Sequence, residues 1–355
     1  MKRGLGKKGL AGLVLGAALT GGATVFQARR EVKRLRATPA AGPQGDRLFT
    51  PPTDVTHHHV PSHDGGTLHV VERGAGRPLV LLHGITLRWD VWSPQLHQLA
   101  DRYRVIACDL RGHGQSEAGE EGFGLGRLAA DLATVLTDLD LSDAILVGHS
   151  MGGMTAMQFC ADFPGVLDER VTGLVLVATA ATIPMPAPVK ALLSRPGQRL
   201  LDRVESGRAV RQYAMGDNAL SLLVCRLAFG AHPPGAAVAQ VRSMVEAVPQ
   251  ASSLPSGVGL LEHDARQSLA AVRTPTIVVV GNRDLLTPVW SARLIARLLP
   301  GAELHILAGA GHQVMQERPD ELAMLIDQLA DRTSEPTVSA SAGPTEDGAA
   351  AGLTA

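Results

Sequence analysis

The chain has 355 residues, of which 45% are hydrophobic, and its 33 basic and 34 acidic side chains give a formal net charge of −1. This length is sufficient for a full hydrophobic core, and the balanced charge offers no basic surface to a phosphate backbone, which argues against nucleic acid as a partner. The three cysteines, Cys108, Cys160 and Cys225, have spacings that fit neither a zinc site nor a disulfide framework, so we expect each to be buried.

Residues 1–36 are predicted to be a membrane anchor or a signal segment. Their uncharged run, residues 9–28, is long enough to cross a bilayer as a helix, although it holds five glycines and only seven large apolar residues. Basic side chains flank the run on both sides: Lys2, Arg3, Lys7 and Lys8, then Arg29, Arg30, Lys33, Arg34 and Arg36. Because the second cluster disfavours export, we expect one uncleaved N-terminal helix in the membrane, with secretion after signal cleavage as the alternative.

The folded region is predicted between a Pro/Gly-rich linker, residues 37–52, and a disordered tail, residues 332–355. Three consecutive histidines at 57–59 predict an exposed strand rather than a metal site, because their side chains alternate between faces. Five short apolar runs are typical of buried parallel strands: 79–82, 105–107, 144–147, 174–177 and 277–280. Helical patterns lie between them, one with Ser93 as N-cap before Pro94 and one over residues 125–139. This alternation predicts an α/β fold with a mostly parallel, doubly wound sheet.

The sheet is expected to be interrupted by a helical cap. Residues 53–181 and 273–331 carry the strand patterns, whereas residues 182–272 contain no convincing strand. An insertion of this length is expected to cover the carboxyl edge of the sheet, where ligands bind in such folds. The apolar residues of the cap, among them Leu222, Leu223, Val224 and Leu227, are expected to pack inside it rather than line an acyl groove.

A candidate nucleophile follows the strand run at 144–147. The sequence Gly148-His149-Ser150-Met151-Gly152 has the G-x-S-x-G pattern and precedes a helical run. A strand-to-helix corner of this kind exposes the serine hydroxyl on a sharp turn, and the glycines allow neighbouring backbone to approach. The pattern therefore predicts nucleophilic catalysis by Ser150.

A serine hydroxyl needs a base, and the base needs an orienting carboxylate. Asp284 follows one predicted strand and His312 follows the next, which gives the chain order serine, acid, histidine. Asp284 could instead cap the following helix, and Asp264 is a rival acid. We predict that Ser150, Asp284 and His312 form the catalytic set.

An oxyanion hole is predicted after the run at 79–82, in the sequence His83-Gly84-Ile85-Thr86. Acyl transfer creates an oxyanion that two backbone N–H groups can stabilise, and by position these belong to Ile85 and Met151. His83 and Gly84 are expected to support the loop.

Over residues 56–331 the chain resembles the α/β-hydrolase superfamily, on the motifs above together with residues 109–116 and the acid loop at 281–288. The resemblance implies a capped serine esterase or lipase-like hydrolase that cleaves carboxylic esters or related acyl bonds of apolar small molecules, with no cofactor and no metal. Ser150 stands where haloalkane dehalogenases and epoxide hydrolases carry aspartate. His149 stands where carbon–carbon bond hydrolases usually carry asparagine. Three alternatives remain: carbon–carbon bond hydrolases, cofactor-free haloperoxidase-like perhydrolases, and a ligand-binding receptor with little turnover.

Overall fold

The computed structural model of the chain describes residues 30–35, 45–183 and 219–334. Its centre is an eight-stranded sheet with the order β1-β2-β4-β3-β5-β6-β7-β8. The strands are β1 (Thr56–Pro61), β2 (Thr67–Arg73), β3 (Arg77–Leu82), β4 (Tyr103–Cys108), β5 (Ala144–His149), β6 (Val171–Val177), β7 (Thr276–Gly281) and β8 (Glu303–Leu307). β1, β2 and β4 pair antiparallel, and all pairings from β4 to β8 are parallel. The predicted mostly parallel α/β sheet is therefore confirmed.

Helices cover both faces of the sheet because the central strands are apolar on both sides. In β3, Val80 and Leu82 pack against one set of helices: α2 (Leu125–Asp138), α3 (Met151–Asp162), α4 (Pro164–Arg170) and α8 (Val289–Leu298). Leu79 and Leu81 pack on the other side, against α1 (Ser93–Leu99) and α10 (Pro319–Ser334). A short helix, α9 (Val314–Glu317), joins the loop after β8 to α10.

Ser93 is not the N-cap that the sequence predicts, because it already has helical torsion angles of −47° and −42°. Residues Trp89–Trp92 form a 3-10 turn directly before α1, so the chain enters the helix without an extended residue. The Ser93 hydroxyl donates to the Asp90 carbonyl at 2.6 Å. Pro94 still lies in the first turn of α1.

The three consecutive histidines lie on the predicted exposed strand, β1. His58 Nε2 lies 3.0 Å from Glu72 Oε2, whereas His57 Nδ1 lies 2.8 Å from Nε2 of the buried His69. The adjacent residues His57 and His58 thus contact different partners on β2, His69 and Glu72.

The described part of the cap is helical. It contains α5 (Ala219–Arg226), α6 (Gly235–Ala247) and α7 (Gln250–Leu261), and a single bridge between Thr182 and Asp264 closes its base. The helix-like pattern at 189–193 falls outside the described residues.

Part of the expected linker is packed on the domain. Residues Gly45–Phe49 form a 3-10 helix in which Leu48 and Phe49 are buried. Residues 30–35 are also helical, and Leu35 is buried in the same core cluster as Leu48 and Phe49. The expectation of an unpacked linker is therefore wrong for residues 45–49, because the Pro/Gly composition of residues 37–52 obscured the apolar side chains of Leu48 and Phe49. The described part of the tail likewise continues α10 to Ser334.

No helix within residues 30–35, 45–183 and 219–334 combines the length and the apolar character needed to cross a bilayer. The predicted anchor at residues 9–28 lies outside those ranges, as do residues 335–355 of the predicted tail.

Candidate active site

Ser150 occupies a strained corner between β5 and α3. Its φ of 51° and ψ of −115° lie in a region that side chains rarely adopt. The Ser150 N–H donates to the Val177 carbonyl at 3.0 Å, and the Thr179 hydroxyl donates to the Ser150 carbonyl at 2.7 Å. A Cβ on Gly152 would overlap the Leu82 carbonyl oxygen. The tight corner therefore needs a glycine at this position.

The partner of Ser150 in the predicted set, His312, is oriented by Asp284. The His312 Nδ1–H donates to Asp284 Oδ2 at 2.9 Å, and both side chains are buried. Asp284 also accepts the Thr287 hydroxyl at 2.7 Å and the N–H groups of Leu286 and Thr287 at 2.8 and 2.9 Å. Burial raises the pKa of Asp284, but the charge of His312 and these hydrogen bonds lower it more, so its pKa lies below the ordinary value. The carboxylate is therefore ionised at neutral pH.

Ser150 and His312 line one cavity, although no hydrogen bond joins their side chains in this part of the structure. Hydrogen bonds of this kind often tighten only when substrate is bound. The structure thus brings all three predicted residues to one site, where His312 and Asp284 are already hydrogen-bonded to each other.

Of the two predicted oxyanion donors, Ile85 lines the same cavity and Met151 directly follows Ser150 in the chain. Met151 is the first residue of α3, where a backbone N–H has no acceptor inside the helix. Ile85 lies in the loop after β3 and lines the cavity. That loop is held by His83, which accepts the Leu110 N–H at Nε2 (3.0 Å), while its Nδ1–H donates to the Gly84 carbonyl (2.7 Å). Burial lowers the pKa of His83 to about 4, so the ring is neutral and keeps both contacts at pH 7.

His149 lies beneath His312. Its Nε2–H donates to the His312 carbonyl at 3.0 Å, and the two rings are 4.8 Å apart. Burial lowers the pKa of His149 well below its ordinary value, which keeps the ring neutral. A Cβ on Gly84 would lie 2.9 Å from His149 Nδ1, so Gly84 leaves the room that this ring occupies.

Glu317 forms hydrogen bonds both to the loop that carries His312 and to the cap. One carboxylate oxygen accepts the Gly311 N–H at 2.8 Å, and the other accepts the Gly230 N–H at 2.6 Å. The His312 N–H also donates to the Ala228 carbonyl at 2.8 Å. Burial of Glu317 raises its pKa to about 7, although the two N–H donors and nearby arginines oppose that rise. The position of His312 therefore depends on a carboxyl group that titrates near neutral pH.

The cavity has a volume of about 500 Å³ and lies between the sheet edge and the cap. Its polar lining consists of the side chains of His149, Ser150, His312, Thr86, Thr287 and Gln313. The cap supplies apolar side chains: Val224, Cys225, Ala228, Val241, Val245, Leu260 and Leu261. An elongated apolar group fits this composition better than a charged one.

Two expectations about neighbouring residues have different outcomes. Asp264, the rival acid, is paired with Arg266 on the surface and is not part of the cavity. The prediction that the cap residues pack only inside the cap is wrong in part. Leu222 is buried as expected, but Val224 lines the cavity and Leu227 is exposed. The apolar residues at the end of α5 and just beyond it thus lie in three different environments.

Three site residues have no motif that marks them. Thr287 binds the acid, Thr179 holds the corner, and Glu317 holds the histidine loop. Thr287 lies within the acid loop and Glu317 lies five residues after His312, so proximity is the signal that could have found them. Thr179 lies directly beyond β6, and only the strand order brings it beside Ser150.

Comparison with known proteins agrees with this geometry. Residues 77–319 match the family described as alpha/beta hydrolase fold. The AB hydrolase superfamily protein YisY of Bacillus subtilis is 30% identical over 77% of this chain and 98% of its own length. The non-heme chloroperoxidase CPO-A1 of Kitasatospora aureofaciens is 31% identical over 71% of this chain and 90% of its own. A solved esterase from Thermogutta terrifontis is 25% identical, with a TM-score of 0.63 over 78% of this chain and 99% of its own.

Proposed function

The chain belongs to the α/β-hydrolase family, and we propose that it is a serine hydrolase that cleaves carboxylic esters through an acyl-enzyme. The observation that carries this proposal is the hydrogen bond between His312 and Asp284 at a cavity that Ser150 also lines. The similarity to a solved esterase supports the same reaction.

The reaction follows from the placement of these groups. Ser150 Oγ attacks the acyl carbon while His312 Nε2 takes its proton, and the N–H groups of Ile85 and Met151 bind the oxyanion. The proton then passes from His312 to the departing alcohol, which leaves an acyl-Ser150 ester. Water, deprotonated by His312, attacks that ester and releases the acid. Protein groups supply every step, so the proposed reaction requires no cofactor or metal.

The proposed substrates are small to medium esters with a largely apolar acyl group, because the cap side of the cavity is apolar. A series of p-nitrophenyl esters of increasing chain length tests this proposal. We expect hydrolysis that Ser150→Ala abolishes, with a preference for acyl chains longer than acetyl. Tight binding of esters without turnover would instead support the receptor alternative.

A perhydrolase activity is the second candidate, and the similarity to a non-heme chloroperoxidase favours it. In that reaction hydrogen peroxide, instead of water, attacks acyl-Ser150 and releases a peracid. Halide oxidation that requires peroxide, a carboxylic acid and Ser150 would identify it. Ester hydrolysis without such oxidation would reject it.

We further propose that residues 9–28 tether the enzyme to a membrane. The support is their length, their lack of charge and the basic clusters on either side. The full chain is expected to stay with membranes after alkaline carbonate washing, since a spanning helix is not held by charge. Release by carbonate would indicate a peripheral segment, and a mature protein without these residues would indicate secretion.

A further inference from the structure

Large apolar side chains are exposed beside the cavity entrance. Six such side chains are exposed among the described residues, and four lie in the two segments next to the cavity: Leu227, Leu285, Leu286 and Trp290, which are 64%, 75%, 56% and 50% exposed. We call these four residues the rim patch. Leu286 lines the cavity itself, and so does Ala228, the neighbour of Leu227. A concentration of exposed apolar side chains at a site entrance indicates a surface that meets an apolar partner.

The acid loop keeps two of these side chains in solvent. Asp284 Oδ1 accepts the N–H groups of Leu286 and Thr287, so the loop backbone turns around the buried carboxylate. Leu285 and Leu286 are left exposed by that turn. The segment that orients His312 therefore also presents apolar side chains outward.

The charge around the rim patch is positive. Arg293 and Arg297 follow Trp290 by three and seven residues in α8, so all three lie on one exposed helix face. Arg283 is exposed on the loop before it. None of these arginines forms an ion pair with another described residue, and the only acidic residue of 282–298, Asp284, is buried. Tryptophan and arginine on one face suit the headgroup region of an anionic bilayer.

The loop that carries part of the rim patch is also connected to residues 30–35, which follow the predicted anchor. Residues 30–35 come directly after the predicted anchor, and Glu31 pairs with Arg226 at 3.0 Å. Arg226 donates to the Ala231 carbonyl, and the Ala231 N–H donates to the Gly309 carbonyl. The Gly309 N–H donates to Asn282 Oδ1, at the start of the acid loop. Four short contacts thus join residues 30–35 to the acid loop that carries Leu285 and Leu286.

We propose that the rim patch docks on an anionic lipid surface, so that an apolar ester passes from the bilayer directly into the cavity. The proposal rests on the proposed function, because it assumes the apolar substrate. Beyond the proposed function, Leu285, Leu286 and Trp290 contact lipid. Arg293 and Arg297 lie at the headgroups.

Fluorescence quenching by brominated lipid tests this contact without requiring activity. The full chain is reconstituted in phosphatidylglycerol vesicles that contain dibromo-phosphatidylcholine. Trp92 is buried and Trp89 half-buried, whereas Trp290 is exposed. We expect the lipid to quench part of the wild-type emission, and Trp290→Phe to lose that part.

Matched variants sharpen the test. Leu285→Ser is expected to reduce the quenching of Trp290, whereas Met324→Ser, which alters a side chain that is 64% exposed outside the rim patch, is expected to leave it unchanged. Arg293→Gln with Arg297→Gln should reduce it in anionic vesicles only. Equal quenching in wild type and Trp290→Phe would overturn the docking proposal, even if carbonate washing showed the tether. Quenching of Trp290 in a protein that carbonate releases would support docking and refute the tether alone.

Discussion

The two walls of the cavity are built by different physical means. On the sheet side, each functional group is fixed by several hydrogen bonds: Asp284 accepts four and His83 makes two. On the cap side, the described lining is made of apolar side chains, and the hydrogen bond to the site is a backbone one, from the His312 N–H to the Ala228 carbonyl. In the proposed reaction, the sheet wall therefore fixes the chemistry, whereas the cap wall selects the substrate mainly by volume and apolar surface.

The two walls should therefore respond differently to substitution. A change on the sheet wall leaves a buried polar group without its partner, so it should reduce turnover of every substrate. A change on the cap wall alters volume, so it should reorder substrates with little effect on the chemistry.

Substitution of the acid–base pair should give the largest effect. His312→Ala and Asp284→Asn are each expected to lower kcat by about 10⁴-fold, and the double variant should be little worse because the groups act as a unit. Steady-state hydrolysis of one p-nitrophenyl ester measures all three. Asp264→Asn is the matched control and should keep wild-type activity. Loss of activity in Asp264→Asn, with Asp284→Asn unaffected, would show that the acid is misassigned.

Substitution in the cap should change preference rather than rate. Val224→Phe narrows the apolar end of the cavity, so kcat/KM for long-chain esters should fall about tenfold relative to short-chain esters, in line with the small discrimination that volume provides. Leu223→Phe on the same helix does not line the cavity and serves as control. An equal fall for all chain lengths in Val224→Phe would contradict the division between the walls.

The same division explains what the sequence could predict. The corner at Ser150 and the order of Asp284 and His312 are visible because the chemistry requires particular residue types at strand ends. The roles of Val224 and Leu227 were not visible, since both fit an amphipathic helix and only the tertiary packing decides which faces the cavity. Glu317 was missed for a related reason, because its partners Gly230 and Gly311 lie on different segments.

Glu317 links the two walls, and its titration should be measurable. With a pKa raised from 4.5 to about 7, its contribution to stability is fully present below pH 4.5 and is lost as the pH rises through 7. The shift corresponds to about 3 kcal/mol over that interval. Urea unfolding of wild type and Glu317→Gln at several pH values should show a pH-dependent difference, because only wild type loses stability as the pH rises from 4.5 through 7. Glu321→Gln, which alters a half-buried carboxylate paired with Arg318, should show none. A pH-independent difference for Glu317→Gln would contradict the raised pKa.

Removal of the N-terminal packing should give the smallest effect. A protein that starts at Arg30 is expected to be soluble and active. One that starts at Arg47 also lacks buried Leu35 and the Glu31–Arg226 pair, and should lose about 1.5–3 kcal/mol of stability with its activity retained. Thermal unfolding of the two proteins measures this difference. Equal stability would show that residues 30–35 contribute no packing energy to the cap.

Covalent labelling tests the central claim, that Ser150 is the activated nucleophile of this cavity, most directly. The full chain is treated with a fluorophosphonate, and the modified peptide is identified by mass spectrometry. We expect one adduct, on Ser150, that is absent in Ser150→Ala and strongly slowed in His312→Ala. An adduct on another residue, or ester hydrolysis that persists in Ser150→Ala, would contradict the account.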